Sequence, residues 1–189
     1  MQFTIFGKNY REGSYLLLID LRETADVSFG RFLGGKAISL AAGTYLYVGS
    51  ALGAGGRNSF PLANRLLRHA SRSAGKAPHK VRPELLHCFT NMGFNPGEKR
   101  GEKKLHWHID YLLDLPEAEI SHVIMVLSSS RIEHALAGIV SASAEASTVA
   151  DRLGAQDASS GTHLFRISDP ATFFEHLKIA IPQLPGVEK

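Results

Sequence analysis

Apolar residues fall along this chain in short runs and alternations, and the pattern predicts a mixed set of elements. Residues 14–21, SYLLLIDL, form an apolar run closed by charge, which reads as a buried strand. KAISLAAGTYLYVGSALGAGG follows as a strand, a glycine turn, a second strand at about 44–48 and a glycine-rich exit. In the second strand, alternation puts Tyr45 and Tyr47 on one face and Leu46 and Val48 on the other. A helix is predicted over 60–72, with Ser59 as its cap and Pro61 in the first turn. On that helix Leu62, Ala63, Leu66, Leu67 and Ala70 share an arc of about 140°. Arg65, Arg68, His69 and Arg72 share a separate arc of about 100°. One face is therefore expected in the core and the other is expected to be cationic.

LHWHIDYLLD fits both an alternating strand and a helix; the helix is the reading taken here. EISHVIMVLS is a strand, RIEHALAGIVSA a helix, THLFRIS the last strand and ATFFEHLKIAI the last helix. Residues 73–104 carry Gly, Pro and Lys at both ends, with room for a short helix around PELLHCF. A stretch of that length is too long for an ordinary connection, so it reads as a functional flap or a mobile insertion.

Charge changes this picture more than composition does. The net charge is +3, but residues 57–104 hold eleven basic and three acidic groups. The block reads either as a solvated lysine-rich loop or as a patch that attracts a polyanion. With 189 residues, the chain has room for one core. No apolar run approaches the roughly 20 residues that span a bilayer. The opening MQFTIFGKNYREG lacks the apolar segment of a secretory signal. Cys88 is the single cysteine, which excludes a disulfide framework and a cysteine-rich zinc site. A cytoplasmic protein without a membrane segment is expected.

The chemistry-bearing residues come in a particular order: Gly13-Ser14-Tyr15, then Tyr47-Val48-Gly49 within GTYLYVGSALG, then Arg65 and His69 on one helix. HWHIDYLL follows at 106–113, then a helix carrying Glu133, then THLF at 162–165. In this order the chain resembles the GIY-YIG nuclease superfamily over about residues 12–167. It is most similar to a small branch that occurs alone or fused to endonuclease III-type repair enzymes. The departures are Ser14 in place of isoleucine, and Ala158 and Ser160 where the branch carries cysteines. If 73–104 is an insertion, the spacing from Arg65 to Glu133 matches that between the family's arginine and its metal-binding glutamate.

The resemblance implies an α+β domain over 1–168, with a small, mainly antiparallel sheet flanked by helices, the basic insertion at 73–104 and a helical extension at 169–189. It implies a Mg²⁺- or Mn²⁺-dependent endonuclease hydrolysing phosphodiester bonds in DNA, in repair or on a branched or single-stranded structure. Tyr15, Tyr47, Arg65 and His69 would be catalytic and Glu133 would hold the metal. Beside a cation, the phenolate of Tyr15 or Tyr47 should become more accessible, and either tyrosine fits. Arg68, Arg72, Lys80, Arg82, Lys103 and Lys104 would bind nucleic acid. Gly49, Ser50, His106, His108 and Asp110 would support the site.

Plainer readings stand beside these. The tyrosines suit a packed strand face. Ser130-Arg131-Ile132-Glu133 fits a capping box that would occupy the Glu133 carboxylate. His106, His108 and Asp110 suit structural hydrogen bonding as well as ligation, and His163 reads as structural. The alternative to an enzyme is a catalytically silent nucleic-acid-binding module on the same fold.

Overall fold

A computed structural model of the chain describes residues 2–53, 59–95, 97, 102–153 and 162–187. The end of the glycine-rich exit, part of the basic stretch, and Ala158 and Ser160 lie outside the described residues. A six-stranded sheet runs through the middle. Its strands are β1 (Phe3–Phe6), β2 (Gly13–Leu21), β5 (Gly43–Ala51), β6 (Ala118–Leu127), β7 (Ala146–Thr148) and β8 (Leu164–Ile167). Their order is β1-β6-β2-β5-β8-β7. Only β1 and β6 pair in parallel, so the sheet is mainly antiparallel. Between β2 and β5, the strands β3 (Ala25–Ser28) and β4 (Ala37–Leu40) form a separate hairpin.

Helices cover both faces. α1 (Pro61–His69), α2 (Arg82–Asn91) and α3 (His108–Leu113) lie with the β3–β4 hairpin on one side. α4 (Glu133–Ser141) and α5 (Pro170–Ala180) lie on the other. The architecture is α+β with a C-terminal helix. Because both faces are covered, the central strand β2 is buried almost throughout, as its unbroken apolar run requires. Alternation then sorts the side chains. Tyr15, Leu17, Ile19, Tyr45 and Tyr47 face the α1 side, while Leu16, Leu18, Leu46 and Val48 face the α4 side.

Three local expectations change. α1 starts at Pro61 with Phe60 as its cap and no side-chain cap bond, so Ser59 does not cap it. α4 starts at Glu133 with Ile132 as its cap, so Ser130 and Glu133 form no capping box. Ser130 instead sits one turn earlier, its amide bonded to Ser128 Oγ. The basic stretch is no loose flap where it is described: Val81, Leu85 and Phe89 are fully buried in the core against α1.

Candidate active site

The site is built at the paired ends of β2 and β5. Tyr15 stands opposite Gly49 in the register. A Cβ on Gly49 would come within 2.5 Å of Tyr15 Cζ and Oη, so the tyrosine ring lies directly over a position with no side chain. Tyr47, two residues before Gly49, shares its face. Tyr15, Tyr47 and His69 form a triangle of rings, with centroids 6.3, 6.2 and 5.7 Å apart. Tyr15 and His69 are wholly buried, and Tyr15 Oη lies 2.9 Å from His69 Nε2. Tyr47 remains 6 % exposed, and its hydroxyl has no hydrogen-bond partner among the described residues.

Asp110 secures this triangle from behind. Its buried Oδ2 accepts from the amides of His106 and Trp107 and from Arg68 Nη2, at 2.9, 3.1 and 2.7 Å. Its Oδ1 faces His69 Nδ1 at 3.5 Å and Lys103 Nζ at 3.6 Å. Asp110 Oδ1 and His69 Nδ1 are both buried without a hydrogen bond, and the carboxylate charge favours the tautomer with its proton on Nδ1, in which Tyr15 is the donor to Nε2. Burial lowers the pKa of His69 to about 4 despite the pull of Asp110, so the ring is neutral at physiological pH. Burial opposes ionisation of Asp110, but the contacts with His69, the His106 amide and Lys103 hold its carboxyl well below the usual range.

Both phenols are pushed up, chiefly by burial and further by the Glu133 charge. Arg65 pulls them down but is outweighed. This corrects the expectation of an accessible phenolate: removal from water costs more than one half-buried cation returns.

Arg65 is carried on α1. Its guanidinium carbon lies 3.8 Å from the Trp107 ring centroid, and it has no carboxylate or hydrogen-bond partner among the described residues. Glu133 approaches from the other face. Ser50 follows Gly49 and points the opposite way along β5, so its hydroxyl meets the first residue of α4 and donates to Glu133 Oε2. His163 Nδ1 lies 3.1 Å from Glu133 Oε1. Burial would raise the Glu133 pKa, yet the contacts with His163 and Ser50 and the Arg65 charge bring it below the ordinary value. The carboxylate is 27 % exposed. It is linked to Arg65 and the phenols by charge and makes no direct bond to them.

A family model described as a domain of unknown function, DUF123, matches residues 14–185, from the strand of Tyr15 to beyond α5. The chain belongs to the DUF123 family. No curated protein and no solved structure matches it.

The remaining sequence-derived residues divide within this DUF123 domain. A groove of about 910 Å³ runs between α1 and residues 102–107, lined by Arg65, Arg68, Arg72, Arg82, Lys103 and Lys104. Lys80 is exposed but does not line it. The expected cationic face of α1 is only partly solvated. Arg72 donates to the carbonyls of Ala77 and Ala118, and Lys103 donates to Ser71 O at 2.7 Å; both side chains are buried. Their roles are structural first, because residues 72–82 and 102–107 pack over the side of α1 that a helical wheel leaves open. His106 is exposed beside Trp107, whereas His108 turns to Phe32 in the hairpin loop. Among the described residues no group of three or more His, Cys, Asp or Glu could hold a metal, so His106, His108 and Asp110 form no ligand cluster. No described helix is long and apolar enough to cross a membrane. Trp107, the platform under Arg65, was missed in the sequence because its alternation with Leu105 and Ile109 reads as ordinary packing.

Proposed function

We propose that this domain is a metal-dependent endonuclease that hydrolyses phosphodiester bonds in nucleic acid, DNA foremost, on branched or single-stranded structures of the kind met in repair. The single observation that carries the reading is the Arg65 guanidinium, stacked on Trp107 without a carboxylate or hydrogen-bond partner among the described residues, whose charge acts on both phenols and on Glu133. A planar fork that stays charged at any working pH suits a phosphoryl oxygen.

Glu133 would hold Mg²⁺ or Mn²⁺. The donor set fits: the carboxylate is ionised, partly exposed and has acceptor capacity beyond Ser50 and His163, and Mg²⁺ is commonly held by one or two carboxylates with waters. Such an ion stabilises charge gathering on the phosphoryl and leaving oxygens. Tyr47, with the unpartnered hydroxyl, is the phenol favoured to hold the attacking water. Tyr15 and His69 lie behind it as an uncharged pair. This pair packs against the Tyr47 ring and positions it, and the proton lost by the attacking water leaves to solvent. Both phenols act in this scheme as neutral hydroxyls.

The test is cleavage of end-labelled single-stranded and flapped oligonucleotides with Mg²⁺. Product should form with the native chain and stop with EDTA. It should fall at least about 100-fold with Arg65→Ala and with Glu133→Gln. Cleavage that survives both substitutions refutes the assignment. The engagement of both Glu133 oxygens favours one alternative, a catalytically silent nucleic-acid-binding module. Tight, salt-sensitive binding without product would select that alternative.

A further inference from the structure

We infer that the groove beside α1 is a channel for one single strand of nucleic acid and is closed to a duplex. The direction of travel, toward Arg65, rests on the hydrolase reading; the binding does not.

Its shape carries the first part. One wall is α1 and its exit, where Arg65, Arg68, Ser71 and Arg72 line the groove. The other wall is residues 102–107. Two bonds tie the walls together: Arg68 Nη2 donates to Lys104 O and Lys103 Nζ donates to Ser71 O, both at 2.7 Å. The walls are therefore held one side chain apart, and both belong to the packed domain. A slot of that width admits a strand's backbone and excludes a paired helix. The volume, about 910 Å³, is that of a pocket for a few linked units.

Charge carries the second part. Six cations line the groove against one carboxylate, Glu102, whose Oε1 already accepts from the Ala74 amide. Arg68, Arg72 and Lys103 are spent on protein acceptors, and Arg82 gives its Nε to Ser71 Oγ at 3.0 Å, leaving its two outer nitrogens. Arg65, Arg82 and Lys104 have no carboxylate partner among the described residues. They come from three separate segments: Arg65 from α1, Arg82 from the start of α2 and Lys104 from the opposite wall. Cations spread along a slot suit a chain of phosphates rather than one compact anion. Arg65 and Trp107 line the slot, and the Arg65 charge also acts on Tyr15, Tyr47 and Glu133.

The test uses the full chain with Glu133→Gln to block turnover, and fluorescence anisotropy with a labelled single strand, a blunt duplex and a duplex bearing a single-stranded flap. The single strand and the flap should bind at least about 10-fold tighter than the blunt duplex. Arg82→Glu with Lys104→Glu should weaken that binding at least about 10-fold and lower the salt slope by about two. Lys104→Glu alone, whose ammonium makes no bond among the described residues, should weaken it in the same direction. Equal affinity for blunt duplex, indifference to Lys104→Glu, or displacement of the strand by polyglutamate at equal charge overturns the channel. Single-strand binding by a chain that cuts nothing would keep the channel and end the hydrolase reading. Cleavage that prefers duplex and ignores Lys104→Glu would do the reverse.

Discussion

Gly49→Ala adds one methyl where Tyr15 leaves no room. The new carbon would stand 2.5 Å from Tyr15 Cζ and Oη and 2.8 Å from Cε2. The ring cannot swing aside freely, because it is wholly buried and boxed by Tyr47 and His69. Overpacking of this kind costs about 1–3 kcal/mol, and displacing the bond to His69 adds about 1 kcal/mol. The backbone works the other way: Gly49 is not in the left-handed region, so alanine fits its conformation and returns about 0.5–1 kcal/mol of strand preference. The clash wins, for a net loss of about 1–3 kcal/mol. Urea denaturation followed by circular dichroism measures it. In a Tyr15→Leu background the obstructing atoms are gone, and the same substitution should become neutral or slightly stabilising. A loss of equal size in both backgrounds, or no loss in the native one, would show that the ring does not rest on Gly49.

Other perturbations probe the same region. Asp110→Asn removes the carboxylate that Arg68 and His69 share and should cost about 3 kcal/mol in urea, with the imidazole proton moving from Nδ1 in nitrogen NMR spectra. His69 and His79 are both held near a pKa of about 4 by burial, so the unfolded chain binds protons first as pH falls below about 6.5. Stability is therefore complete above about pH 6.5 and is lost toward pH 4, by up to about 3 kcal/mol for each ring. Melting temperatures that rise on acidification across this window would contradict the assignment. Arg65→Lys keeps the charge but loses the fork and the flat stack on Trp107, so cleavage should fall more than about 10-fold.

Much of the fold is legible in the chain because its strands carry their own pattern. The apolar run of β2 needed two covered faces, and the alternation in β5 assigned Tyr45 and Tyr47 to one face and Leu46 and Val48 to the other. The parallel edge strand β1 and the short β7 were not foreseen; each is only three or four residues long, and neither has a pattern of its own. The helical wheel of α1 placed its core arc correctly but misjudged the opposite one, because His69 is covered by Asp110, and Arg72 both by the chain that follows directly and by Ala118, 46 residues on. Distance along the chain also hid the link from Asp110 to His69. Ser130 and Glu133 have capping-box spacing, yet the helix starts at Glu133, and that carboxylate meets Ser50 of β5. Local spacing could offer the box but could not reveal the competing partner.

The central claim is that Glu133 and Arg65 share one phosphate through a divalent ion on the carboxylate. Anomalous diffraction from crystals soaked in Mn²⁺ tests it most directly. One ion should bind a Glu133 oxygen on the side facing Arg65 and Tyr47, and it should vanish in Glu133→Gln crystals. Manganese that settles elsewhere and leaves Glu133 tied only to Ser50 and His163 would contradict the account.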